Sequence, residues 1–436
     1  MNNVIDTPHP PGFRRRRGIN WAFIGLLYTS FYMCRYNLSL GNSAISKEFG
    51  FSKADMGTII TTSLLAYACG QIINGLLTDR LGGKRAMLIG AAGTIVMNVL
   101  FGVASFSGLL GLFVAIRGVD GYMQAFGAPG MIKINAAWFR KNERGRFAGI
   151  FGFMINLGRF GIFTLGPALL AGFVFLGLWR IPPLHWRWLF WIPALIAAVV
   201  AILMAIIVKD APEEAGFPSV NPEEETGGEV RATIGEVFMR IASNRVVWII
   251  ALAYACTGAV RQGIDQWFPR FMQEAHHVDY SSTQFQFLGF LIPFVASAGS
   301  LISGYVSDKM FNGRRAPVAA GLYFLETAII LLAAQFTSAN AAIIFLVLIS
   351  FTANATHSIL GTAAAMDVGG AKMAGFASGL IDSFQYFGGS LAGYFLGVLL
   401  DKSWGSYFYF MAPFGIIGGL LMVSIMGRVT LTKPAH

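Results

Sequence analysis

Charge is what this sequence lacks most. Only 12% of its 436 residues are Asp, Glu, Lys or Arg, about half the 25% typical of soluble domains. Hydrophobic residues make up 55% and the mean hydropathy is +0.60. The deficit runs the whole length, which excludes a soluble globular fold and puts the chain in a bilayer. Cysteine is scarce as well: Cys34, Cys69 and Cys256 all fall in apolar runs. Neither a disulfide framework nor a thiolate metal site is expected from them. Acidic residues are outnumbered by basic ones, 22 to 32. The basic residues sit in short loops between apolar runs, as the positive-inside rule requires, and do not suggest nucleic acid. A phosphate-cradling glycine loop ending in Lys-Ser/Thr is missing, so ATP is not the expected energy source. No Ser-His-Asp or metal-ligand grouping stands out, and His276 and His277 fall in an outer loop. An enzyme, a cofactor or a metal is therefore not expected.

What is present is a series of apolar runs. A span needs about 20 mostly apolar residues. Twelve can be marked: 19–41, 56–77, 86–106, 109–138, 147–176, 187–208, 246–272, 284–306, 316–336, 340–365, 374–399 and 405–427. The first follows "FRRRRGIN" without a small-residue cleavage site, so it reads as a retained helix with a basic anchor and not as a signal peptide. Basic clusters precede the first span and follow the second, fourth and eighth. All fall on one side, which is then cytoplasmic, with both termini there. Residues 209–243, rich in Pro, Glu and Gly, form the one long polar connection. The expected organisation is a basic tail (1–18), a six-helix bundle (19–208), a cytoplasmic linker (209–243), a second six-helix bundle (244–428) and a short tail (429–436). The fold class is all-α, with twelve transmembrane helices in two pseudo-symmetric bundles, placed in a bacterial inner membrane.

Two features recur in both halves. "GLLTDRLGGKR" from Gly75 matches "GYVSDKMFNGRR" from Gly304, an offset of 229 residues. Tyr28 precedes Arg35 by seven residues and Tyr254 precedes Arg261 by seven, an offset of 226. Parallel six-span repeats are the architecture of the major facilitator superfamily, with substrate near the midplane between the halves. The duplicated loop residues Asp79, Arg80, Asp308 and Lys309 are expected to lock the halves together on the cytoplasmic side. Seven residues are two helical turns, so each Tyr is expected to stack on its Arg.

Arginine cannot shed its proton, and at the centre of a membrane helix it costs about 2.5–3.5 kcal/mol. Arg35 and Arg261 would lie at equivalent depths and face one cavity. Two guanidinium forks suit a dianion such as a phosphate ester. The pair repels itself when empty, so only a loaded carrier would cross, which means exchange. Internal pairing stays open: Asp265 lies one turn after Arg261, and Asp120 or Asp382 could reach Arg35. Lys133, Arg159 and Glu326 are the remaining midspan charges. The first two can snorkel to a membrane edge, and Glu326 can serve a neighbouring helix.

With "YTSFYMCRYN", "WFRKNERG", "KDAPEEAGFP", "RQGIDQWFP", "SGYVSDKMFNGRR" and "MAGFASGLIDSFQYFGG", the chain resembles the organophosphate:phosphate antiporters of that superfamily over nearly its whole length. The resemblance implies that Arg35 and Arg261 bind the phosphoryl group, with Tyr28, Tyr32, Tyr67 and Tyr386 near it. Departures surround this clamp. Gln71 stands where such relatives carry lysine, and Ile155 where they carry histidine, with Arg159 one turn on. Gln266 replaces the acid before the seventh-span Trp, with Asp265 one place earlier, and His357 appears in the tenth span. Glycerol-3-phosphate or glucose-6-phosphate therefore does not follow. The expected site comprises Arg35, Arg261, Tyr28, Tyr32, Tyr67, Gln71, Tyr386, His357 and Asp265. Its expected partners are a phosphate ester, a counter-anion and the bilayer, with the chain acting as a monomer. The alternatives are a proton-coupled organic-anion symporter, with Asp265, Glu326 or His357 titrating, and a transporter-like sugar-phosphate sensor.

Overall fold

A computed structural model describes residues 9–140, 143–175, 177–220, 243–312, 314–364 and 379–426. Most of the expected linker and the C-terminal tail lie outside these residues.

Helix α1 (Phe13–Phe49) runs 37 residues, about 55 Å at 1.5 Å per residue. It therefore projects well beyond a hydrocarbon core of about 30 Å. Gly50 ends it in the left-handed region, φ 69°, with its N–H on Ser46 O. A side chain would be strained there. Ser52 then starts α2 (Lys53–Leu81) with a reciprocal capping box to Asp55. Helices α3 (Gly83–Ala104), α4 (Leu110–Gln124), α5 (Gly127–Trp138), α6 (Arg144–Ala171) and α7 (Trp188–Ile207) complete the first bundle. The second bundle holds α8 (Arg245–His276), α9 (Thr283–Met310), α10 (Arg315–Ala333), α11 (Ala339–Ser358), α12 (379–391), α13 (Tyr394–Lys402) and α14 (Ser406–Ile425).

These segments make twelve crossings. Nine of the helices among the described residues are long and apolar enough to span a membrane on their own. The other three crossings are α1, with its polar interior, and two interrupted spans. The fourth breaks between α4 and α5, where Pro129 can neither bond to the carbonyl of Ala125 nor clear it. The eleventh breaks at residues 392–393. The tenth ends in a π-helical turn, Ile359–Ala364. One expected boundary is corrected. The fifth span does not run helically to 176: Gly172 (φ 81°) stops it, and Phe173–Phe175 pairs antiparallel with Trp179–Ile181 around Gly177. Aromatic and β-branched residues beside two glycines favour that hairpin.

The two bundles meet along α1–α8, α2–α13 and α6–α9. Their tightest joints lie at the end that carries the α1–α2 turn. The Asp401 carboxylate accepts from Lys53 N at 2.7 Å and Ala54 N at 2.9 Å, capping α2 from the opposite bundle. Arg270 donates to Asn42 Oδ1 at 2.8 Å and Ser46 Oγ at 3.0 Å. Tyr280 donates to Leu40 O at 2.6 Å, and Lys53 Nζ lies 3.5 Å from Glu274. A Cβ on Gly57 would lie 2.8 Å from the Gly393 carbonyl carbon, so the helices touch backbone to backbone there.

The opposite end is built differently. Lys133 Nζ lies 3.5 Å from Asp79 and donates to Thr78 O and Asp79 O, all within the first bundle. Asp308 pairs with Arg315 at 2.7 Å within the second. Arg80 and Lys309 are exposed. The expected lock between halves is thus absent among the described residues, because each acid finds its cation in its own bundle. Arg17 binds Glu143 at 2.8 Å and 3.2 Å, again inside the first bundle. Burial pushes the Glu143 carboxyl up, but hydrogen bonds from Arg17, the Arg140 N–H and His9 hold it below its ordinary value overall.

Candidate functional site

Arg35 lies on the inward face of α1 and is 5% exposed. Its Nε donates to Gln124 Oε1 at 2.9 Å and its Nη1 to the Tyr386 hydroxyl at 3.0 Å. The guanidinium carbon sits 4.2 Å from the Tyr67 ring centroid, 4.6 Å from Tyr32 and 5.7 Å from Tyr386. Nη2 is buried and has no hydrogen-bond partner. Each ring face contributes about 0.5–2 kcal/mol, and each hydrogen bond from a charged group about 1.5–3 kcal/mol. Together these offset the insertion cost without a carboxylate. The charge stays uncancelled, and one N–H pair is free for a ligand.

Tyr28 does not stack on Arg35. Seven residues correspond to about 10 Å along the helix, too far for ring contact, and Tyr32 one turn away takes that place. Tyr28 instead packs edge-on against Tyr32 at 5.4 Å. The same holds in the second bundle, where the Tyr254 hydroxyl bonds to His357 Nδ1.

Asp120 does not pair directly with Arg35. It binds Arg117 at 2.8 Å and accepts from Gln124 Nε2 at 3.0 Å. Gln124 thus relays Asp120 to Arg35, while Arg117 neutralises the acid. A glutamine four residues after an acid on one helix face was a signal for this contact, but it carries no charge to draw notice.

Arg261 is 3% exposed, and its Nε lies 4.0 Å from Asp265 Oδ2. Asp265 forms its closer ion pair with Arg159, which reaches it from α6 of the other bundle. Arg159 is fully buried and also donates to Asn156 Oδ1 at 3.1 Å. It therefore does not snorkel. Tyr32 and Tyr386, which touch Arg35, also lie within electrostatic reach of Arg261, as does Tyr36. Tyr32 and Tyr386 are thus within reach of both arginines, and their rings contact Arg35. Gln71 Nε2 donates to Tyr67 Oη at 3.0 Å and across the bundles to Asp382 Oδ2 at 2.8 Å. The Tyr67 and Tyr386 rings lie 4.2 Å apart. A small cavity beside Arg35 is lined by Ser63, Tyr67, Gln124, Gln266 and Tyr386 among others; Arg261 is not on its wall.

The remaining charges stand apart. Lys133 reaches the C-terminal carbonyls of α2 at the membrane edge, where a cation is favoured. Glu326 is fully buried; it accepts from Thr352 at 3.5 Å and leaves Oε2 without a hydrogen bond.

Two six-helix bundles that close on a buried, arginine-bearing aromatic cavity define a multi-pass membrane carrier. The chain belongs to the Major Facilitator Superfamily, whose family profile matches residues 24–393. Among curated relatives, a glycerol-3-phosphate transporter of Bacillus subtilis is 27% identical, covering 89% of this chain and 87% of its own. A probable hexose phosphate transport protein of Chlamydia trachomatis is 26% identical, covering 95% and 92%. The membrane sensor protein UhpC of Escherichia coli is 27% identical, covering 93% and 91%. All three agree with the antiporter family that the sequence resembles. Among solved structures, a bacterial homologue of the human lysosomal transporter Spinster, inward-facing and unoccupied, matches with a TM-score of 0.75 at 17% identity over 96% of this chain and 99% of its own.

Proposed function

We propose that the protein carries a phosphorylated organic anion across a bacterial inner membrane by alternating access, in exchange for inorganic phosphate. The observation that carries this reading is Arg35: buried, ringed by tyrosines, with no carboxylate in ion-pair range among the described residues and one nitrogen unpartnered. Arg261, the pseudo-symmetric counterpart, completes the clamp. Tyr67 and Tyr386 line the wall beside Arg35, Gln71 bonds to Tyr67, and Tyr32, packed on Tyr28, faces the same guanidinium. Asp265 and His357 act from behind: the first is held by Arg159 and the second by Tyr254.

The names of the glycerol-3-phosphate and hexose phosphate relatives support a phosphoryl substrate. Both termini lie in the cytoplasm in this reading, so the tight joints around the α1–α2 turn form a closed periplasmic gate. An empty clamp carries two like charges and resists closing, and a bound dianion removes that resistance. Net movement without exchange is thereby suppressed.

The test is flux in liposomes. Labelled phosphate trapped inside should leave only when a phosphate ester is supplied outside. Efflux without external ester contradicts obligate exchange. Binding without any flux would favour a sensor, a reading prompted by the similarity to UhpC.

A further inference from the structure

The buried charges between the two bundles do not balance for a simple dianion. Arg117 is neutralised by Asp120, and Arg159 by Asp265. What remains is Arg35, Arg261 and one carboxylate, Asp382. That acid is half-buried, and among the described residues no cation lies within ion-pair distance of it. Its hydrogen-bond donors, the Gln71 amide and the Tyr254 hydroxyl, are both neutral. Yet Asp382 lies within electrostatic reach of both Arg35 and Arg261, so it subtracts from the clamp's pull on an anion.

A ligand that offered only hydroxyls here would be served as well by Asn or Gln, without that loss. A ligand that brings its own cation makes the carboxylate an asset. The surroundings fit one. Tyr28, Tyr67, Tyr254 and Tyr386 all feel the Asp382 charge, from four different helices. Phenolic oxygens beside a carboxylate give an ammonium group further acceptors. Gln71 Nε2 donates to both Asp382 Oδ2 and Tyr67 Oη, and the Tyr67 ring lies 4.2 Å from the Arg35 guanidinium carbon, so Gln71 and Tyr67 link the carboxylate to that cation. A short linker then suffices to join a phosphoryl group at Arg35 to a cation at Asp382.

We propose that Asp382 forms a cation subsite next to the Arg35 site, and that the ligand is a zwitterionic phosphoryl compound: a phosphate monoester or phosphonate bearing an ammonium on a short linker. Two negative charges then meet two guanidinium groups, and one positive charge meets one carboxylate. This inference rests on the two-arginine clamp.

The experiment is calorimetric titration of the purified full chain with 2-aminoethyl phosphate and with ethyl phosphate, which lacks only the amine. The wild type should bind the amino compound at least tenfold more tightly. Asp382→Asn should erase that preference and tighten ethyl phosphate; Asp382→Glu should retain the preference. Equal affinity of the wild type for both ligands overturns the cation subsite and leaves the clamp standing. A preference that survives in Asp382→Asn overturns the assignment to this residue. If neither ligand binds, the clamp and the subsite fall together. Should Asp382→Asn fail to fold, the wild-type comparison alone still decides.

Discussion

Asp265 lies between two arginines, and removing it should cost more than removing the arginine it binds more closely. Arg159 and Asp265 have side chains 0% and 1% exposed. Asp265→Asn leaves Arg159 and Arg261 buried near each other without the carboxylate. Breaking a buried pair in this way costs about 3–5 kcal/mol. Arg159→Gln leaves Asp265 a second cation, Arg261 Nε at 4.0 Å. A pair at that distance retains up to about 4 kcal/mol of gross attraction at an effective dielectric constant near 20. The loss then falls to about 1.5–3 kcal/mol, the worth of a charged hydrogen bond. Thermal unfolding in detergent, followed by tryptophan fluorescence, measures the difference. At about 1–2 °C per kcal/mol for a chain of this length, Asp265→Asn should melt several degrees below the wild type and below Arg159→Gln. The double variant should recover part of the loss, because no orphaned Arg159 remains. If Arg159→Gln is as damaging as Asp265→Asn, or if the two losses simply add, the shared-carboxylate reasoning is wrong.

Other outcomes follow from the same geometry. Arg35→Lys should abolish exchange in liposomes while the protein still folds, since an ammonium cannot keep Gln124 and Tyr386 and also offer a free N–H pair; wild-type flux would refute this. Asp401→Asn should weaken the cap on α2 by about 0.5–2 kcal/mol and raise labelling of a Ser63→Cys reporter by an impermeant thiol reagent added on the side of the α1–α2 turn. Unchanged labelling would mean that the cap does not hold the gate. Gly57→Val should stop transport without unfolding the bundles, because its side chain would meet the Gly393 backbone; normal flux would show that the close approach is dispensable. Glu143 is held below its ordinary value, so its contribution is present above the unfolded-state value near 4.5 and is lost as pH falls through the lower folded value. Glu143→Gln should therefore lower the melting temperature slightly at pH 7, and the difference from the wild type should shrink as pH falls through that lower folded value.

Much of the architecture was legible because a bilayer imposes long apolar runs and sorts basic residues to one side. The repeat in spacing showed the two bundles and paired Arg35 with Arg261. Side-chain direction was harder to read. Tyr28 lies on the same helix face as Arg35, yet reach favours Tyr32. The hairpin after Gly172 hid in an apolar run whose composition suits a helix or a strand equally. Partner choice between bundles was not legible at all. Spacing along one helix suggested Asp265 for Arg261, and only three-dimensional packing brings in Arg159 from the other half. Arg270 and Asp401, which tie the bundles at the α1–α2 end, carry no mark in the sequence because each looks like an ordinary charge near a helix end. The duplicated loop acids stand out by their repetition, but they bind within their own bundles.

The central claim is tested most directly by a density map of the protein bound to a phosphate ester. The account predicts phosphoryl oxygens about 2.7–2.9 Å from guanidinium nitrogens of both Arg35 and Arg261. A phosphoryl group held by one of them alone, or resting elsewhere in the membrane domain, would contradict it.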